Sequence, residues 1–156
     1  MIEFMINKER AVAVSGHRFL QSDFDLVLLE KVFIELIDKG YDTFLIGMAV
    51  GFDTECFRVL EKLREKSNIK IIACIPCLKQ ALKFSAYQKI EYEHMIKSAD
   101  QKIVLQTEYD NYCMLRRNDF MVDNASVLVA YLRKNTGGTA YTVRKATEKN
   151  LHVIKI

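Results

Sequence analysis

The chain has 156 residues, half of them apolar and 28% charged, and a formal net charge of +3. That length suits one domain burying about two-thirds of its unfolded surface. So balanced a charge argues against a general nucleic-acid binder, and no apolar stretch approaches the ~18 residues of a membrane span.

Apolar runs alternate with segments of helical period, and each run ends in a turn. The first strand is expected at 10–15, followed by Ser15-Gly16-His17-Arg18 and a helix at 24–39, with Ser22 available as its cap. A second strand at 43–47 runs into Gly47-Met48-Ala49-Val50-Gly51-Phe52-Asp53 and a helix at 53–66 whose acidic first turn suits the helix dipole. The third strand, 69–74, ends in Cys74-Ile75-Pro76-Cys77, and the long connection after it carries a helix at 86–98 with a break near Ser85. A strand at 101–105, a helix at 111–124, a strand at 126–131, a helix at 138–149 and a strand at 151–156 complete the series.

Strand, helix, strand throughout implies a doubly wound α/β domain: a mainly parallel sheet of about six strands with helices on both faces. A chain reversal after the third strand gives an order near 3-2-1-4-5-6, with loops one, two, four and five around one crevice. One proline and no linker-like run leave residues 1–156 as a single domain. No basic segment followed by an apolar core opens the chain, so the expected location is cytoplasmic, with no membrane partner.

Five of the six glycines stand in the three strand-to-helix turns: Gly16, Gly47, Gly51, Gly137 and Gly138. Glycine concentrated at the same end of each run points to one shared site, and in an open parallel sheet that end binds ligands. Asn135-Thr136-Gly137-Gly138-Thr139 suits a phosphate: glycines let backbone approach an anion, free amides at a helix start donate to it, and the Thr139 hydroxyl adds a donor. Gly47 and Gly51 either admit a phosphate or sugar or let a helix pack close to the sheet. Asp53 is a ribose-hydroxyl acceptor or an ordinary first-turn acid. His17 and Arg18 project from the first loop, and the Arg18 fork matches phosphate oxygens.

Cys74 and Cys77 have a spacing used in redox exchange or half a zinc site, but no second pair and no nearby histidines accompany them, so they read as packed free thiols. No metal cluster is visible. Tyr109, Tyr112 and Phe120 could stack on a purine, pack in the core or cover a homodimer surface. No basic stripe tracks a nucleic-acid backbone.

Together, Ser15-Gly16-His17-Arg18, Gly47 to Asp53, Met114-Leu115-Arg116-Arg117-Asn118-Asp119-Phe120-Met121 and Thr136-Gly137-Gly138-Thr139 resemble the SLOG superfamily. That group unites DprA-type proteins with the Lonely Guy phosphoribohydrolases, and the resemblance is to its YpsA-like branch. It extends over nearly the whole chain and includes Gln80 and the Tyr92 to Asp100 region. It implies a Rossmann-like domain binding a nucleotide or a nucleotide derivative, such as an NAD or ADP-ribose relative, with no obligatory cofactor. The ligand-binding residues carried over are Ser15, Gly16, His17, Arg18, Gly47, Gly51, Asp53, Arg117, Asn118, Gly137, Gly138 and Thr139.

In the phosphoribohydrolases a catalytic arginine follows a methionine by three residues, and a glutamate follows the last Gly-Thr by three. Those positions are Arg117 and Thr142 here, and the lysine after the arginine is Asn118. Cleaving an N-glycosidic bond passes through an oxocarbenium-like centre that a carboxylate stabilises, and losing such a group costs on the order of 2–4 kcal/mol of barrier. The expectation is therefore a small-molecule sensor or regulator. A Lonely Guy-type hydrolase, with Arg117 catalytic, is the alternative, and a DprA-like DNA-processing partner the second alternative.

Overall fold

In the computed structural model, which describes residues 6–156, six parallel strands form one sheet. The strands are β1 (Ala11–Gly16), β2 (Thr43–Ile46), β3 (Lys70–Ile75), β4 (Gln101–Val104), β5 (Val127–Tyr131) and β6 (His152–Lys155). Helices α1 (Leu26–Asp38), α2 (Phe52–Arg64), α3 (Ala86–Ser98), α4 (Cys113–Asp123) and α5 (Gly138–Glu148) alternate with them. This is the doubly wound α/β fold expected. The first helix is capped by Asp25, whose carboxylate accepts from the Leu28 amide, and not by Ser22. The break near Ser85 is a capping box: Ser85 accepts from the Gln88 amide while the Gln88 side chain accepts from the Ser85 amide.

The strand order is β4-β3-β2-β1-β5-β6. The expected order put the fourth strand beside the first, whereas β4 extends the sheet beyond β3 and the chain reverses only afterwards. The burial of β4 gives the reason: Gln101 and Ile103 are half-buried, and Lys102 and Val104 face solvent. A strand between β1 and β5 is covered on both faces, as all five residues of β5 are, and a lysine there would be buried without a partner.

Strand residues alternate between two cores. Val12, Phe44, Ile46, Ile71, Val127, Val129 and Tyr131 face α1, α2 and α3, where Phe33, Phe57 and Leu60 meet them. Ala13, Leu45, Ile72, Cys74, Leu128 and Ala130 face α4 and α5, where Met121, Val122, Val143 and Ala146 pack. Small residues on this second face let the helices lie close. With β4 at the far edge, the connection to β5 must return across β3, β2 and β1, and that path carries α4 over the sheet beside α5.

Candidate functional site

At the C-terminal ends of β1, β2 and β5 the turns are tied to one another and to α4. The Phe52 amide donates to the His17 carbonyl at 3.1 Å, which joins the first turn to the second. The Arg133 amide donates to His17 Nε2 at 2.8 Å, which joins the first to the last. Arg117 of α4 donates through Nη1 to the Gly47 carbonyl and through Nε to Asn118 Oδ1 at 2.8 Å. Asn118 Nδ2 in turn lies 3.8 Å from the position a Gly138 side chain would take.

Two glycines are required by this arrangement. A Cβ on Gly47 would lie 2.8 Å from the Arg117 guanidinium, so the arginine crosses the backbone only because no side chain stands there. Gly51 has φ +84°, and a Cβ there would meet the Arg18 carbonyl at 2.2 Å. Met48 also has a positive φ, +66°, and is fully buried, so the turn stores backbone strain.

The electrostatics centre on Arg117 and Asp53, both only 6% exposed. Burial holds Asp53 mostly protonated below pH 6: its pKa rises to about 6, against the opposing pull of Arg117 and the Ala49 amide, which donates to it at 3.1 Å. Burial also lowers the Arg117 pKa, with Asp53 opposing. Among the described residues no carboxylate forms an ion pair with Arg117. A neutral carbonyl, a neutral amide and a Met114 sulfur 4.0 Å from Nη2 are its partners.

The other residues singled out in the sequence fall into distinct places. Arg18 is exposed at the rim, and Ser15 and Gly16 end β1, where the Phe52 ring packs on Gly16. His17 does not project: it turns inward, edge-on to Tyr131, and burial with the Lys134 and Arg133 charges lowers its pKa, keeping Nε2 an acceptor. Gly137 and Gly138 are exposed at the uncapped start of α5, while Thr139 is buried. Thr142 is 2% exposed and donates its hydroxyl to the Gly138 carbonyl at 2.7 Å. Arg116 faces outward, onto Gln106 and Asp110.

Phe120 packs against the α4 and α5 core, whereas Tyr109 and Tyr112 are exposed. All four cysteines are free and buried. Two residues had no assigned role in the sequence reading. Gln80 is buried and donates to the Gly47 carbonyl at 2.9 Å, and Phe19, one residue beyond Arg18, is 88% exposed.

A cleft of about 110 Å³ lies behind the Gly47–Gly51 turn, between α2 and α3, lined by Thr54, Arg58, Phe84, Gln88 and Glu91 among others. It is well below the ~300 Å³ at which ligand pockets begin.

A family model described as the YspA SLOG family matches residues 26–155. The SPbeta prophage-derived protein YoqJ of Bacillus subtilis is 31% identical, over 71% of this chain and 73% of its own. DNA processing protein A of Streptococcus pneumoniae superposes with a TM-score of 0.68 at 20% identity, covering 94% of this chain and 50% of that one. The Helicobacter pylori protein of the same name, whose structure concerns single-stranded DNA binding, gives 0.65 at 16%, covering 96% of this chain and 65% of that one. The Moco carrier protein of Chlamydomonas reinhardtii gives 0.51 at 19%, covering 96% and 76%. The chain thus spans half to two-thirds of the two DNA processing proteins, whose likeness extends to the fold.

Proposed function

The chain belongs to the YspA SLOG family, and from that footing we propose that it binds a nucleotide or nucleotide derivative at the ends of β1, β2 and β5, acting as a sensor or regulator. One observation carries the reading: among the described residues, the buried cation Arg117 has no carboxylate at ion-pair distance. A buried charge is costly unless paired, and an anionic ligand group would supply the missing charge. The exposed amides at the start of α5 and the Arg18 side chain at the rim would add donors for phosphate oxygens. Phe19 offers an aromatic face for a base.

Binding is favoured over hydrolysis because the residue at the glutamate position is Thr142, and its hydroxyl is already committed to the Gly138 carbonyl. Asp53 is the nearby carboxyl group, and it is buried behind the turn on the Ala49 amide. The experiment is a thermal-shift screen against nucleoside mono-, di- and triphosphates, NAD, ADP-ribose and cyclic nucleotides, with Gly138→Asp alongside. A ligand at a hundred times its Kd stabilises the fold by about 2.7 kcal/mol. A shift in the wild type that disappears in Gly138→Asp supports the reading, and no shift with any compound sinks it.

Release of free base from a nucleoside monophosphate, lost in Arg117→Ala, would replace it with the hydrolase. Binding of a labelled single-stranded oligonucleotide that weakens steeply with salt would replace it with a DNA partner, the property named for the H. pylori relative.

A further inference from the structure

The Gly47 carbonyl is a shared acceptor. One donor is Arg117 Nη1 and the other is Gln80 Nε2, at 2.9 Å. The Gln80 amide has a fixed sense: a carbonyl can only accept, so Nε2 faces Gly47, and Oε1 then accepts from the Tyr92 hydroxyl at 3.1 Å. Tyr92 is itself held edge-on against Phe84, with ring centroids 5.7 Å apart. A directed chain of hydrogen bonds therefore runs from α3 through Gln80 to the end of β2 and meets Arg117 there.

The guanidinium has five N–H groups. One is on Asn118, one is on Gly47, and Nη2 has only the distant Met114 sulfur. The second Nη1–H and both Nη2–H groups have no oxygen acceptor among the described residues. If Gln80 gave no hydrogen bond, the buried Gly47 carbonyl would have a free lone pair, and the arginine fork is the group beside it that could donate twice. The fork would then turn its free end onto the backbone.

We propose that Gln80, oriented by Tyr92, is the positioning residue of this site: by occupying the Gly47 carbonyl it keeps the outer end of Arg117 free for the anionic group of the ligand. This rests on the nucleotide-binding reading, and the test separates the two. Titration calorimetry with 5′-AMP and with inorganic phosphate is run on the wild type, Gln80→Met, Tyr92→Phe, Arg117→Met and the Gln80→Met/Arg117→Met pair. Nitrogen-detected NMR of the Arg117 side chain, free of ligand, accompanies it.

Gln80→Met weakens 5′-AMP about tenfold and Tyr92→Phe about threefold, the scale of one hydrogen bond to a charged group. Where Arg117→Met retains measurable binding, adding Gln80→Met weakens it no further, whereas a general loss of structure would. The Arg117 Nη resonances move in Gln80→Met. Wild-type affinity in Gln80→Met, with binding lost in Arg117→Met, overturns the proposal and leaves the nucleotide reading standing. If neither probe binds the wild type, the nucleotide reading fails, and unmoved Arg117 resonances then overturn the positioning role as well. Should Gln80→Met not fold, Tyr92→Phe carries the same comparisons, and unchanged affinity and resonances there overturn it.

Discussion

Two arginines stand at the same end of the sheet, and their surroundings are opposite. Arg133 follows β5 and is paired with a carboxylate: Nε donates to Asp23 at 2.8 Å, Nη1 donates to the Leu132 and Ile156 carbonyls, and the guanidinium lies 4.1 Å over the Tyr131 ring. Around it Tyr131, Phe52, Phe24 and His17 fill the space, Phe52 stacked on Tyr131 and Phe24 edge-on to both. Arg117 is more deeply buried, yet among the described residues no carboxylate lies at ion-pair distance from it. On the proposed reading, Arg117 is the cation whose charge an anionic ligand group would answer. One half of the strand ends is closed architecture, and the other is an unfinished electrostatic arrangement.

The closed half should dominate stability. Tyr131 is fully buried, accepts from the Gln21 amide and donates to Asp23 at 3.1 Å. Tyr131→Ala is expected to cost about 4 kcal/mol in urea unfolding, the range for a buried aromatic removed from a packed core. A loss below about 1 kcal/mol would mean the aromatic group is loosely packed and the contrast with the Arg117 half is false.

The next effect belongs to the open half and is read against pH. The folded state holds the Asp53 proton more tightly than the unfolded chain, raising the pKa from 3.8 to about 6. Its contribution to stability is therefore most favourable below the unfolded value, declines as pH rises through about 6, and levels off above. Asp23 and Asp110, whose pKa values are lowered by hydrogen bonds to Arg133 and to the Tyr112 amide, act in the opposite sense at lower pH. The difference in unfolding free energy between Asp53→Asn and the wild type should thus grow in favour of the variant by about 2 kcal/mol between pH 4 and pH 7. A pH-independent difference would show that Asp53 is not desolvated.

The arginines themselves give the sharpest form of the comparison. At pH 5, where Asp53 is neutral, Arg117→Met removes a buried charge without stranding another and should stabilise the ligand-free protein by about 1 kcal/mol or more. Arg133→Met removes an ion pair and a cation–π contact and should destabilise it by about 1 kcal/mol. Equal signs for the two would erase the distinction.

Much of this was legible in the sequence, for physical reasons that differ by residue. The alternation of apolar and helical periods is a direct consequence of burial, so the α/β class and the approximate position of each strand and α-helix followed from it. Glycine positions located the strand-end turns, because close approaches such as that of Arg117 to Gly47 tolerate nothing larger. The strand order was mistaken because the reversal was placed one strand early, although the exposed Lys102 in Gln101-Lys102-Ile103-Val104 already marked an edge.

His17 was misread as projecting, since a ring can turn inward onto an amide 116 residues away and nothing local records it. Gln80 could be named only by resemblance, because its role depends on Gly47, 33 positions earlier, and Tyr92, 12 positions later. Long-range hydrogen bonds have no periodicity in the chain.

The smallest effect tests which kind of anion the proposed site would take. Phe19 is 88% exposed, so Phe19→Ser should change stability by no more than about 0.5 kcal/mol. Stacking of a base on an aromatic ring is worth about 1–3 kcal/mol, so the same substitution should weaken 5′-AMP by about tenfold or more while leaving inorganic phosphate unchanged. Equal losses for both probes would mean Phe19 supports the turn that carries Arg18 and has no contact with a base. No loss for either would leave Arg117 and the start of α5 binding the phosphate alone. The ratio of the two affinities, set by an exposed ring that stability does not notice, therefore decides whether the missing charge arrives on a nucleotide or on a simpler anion.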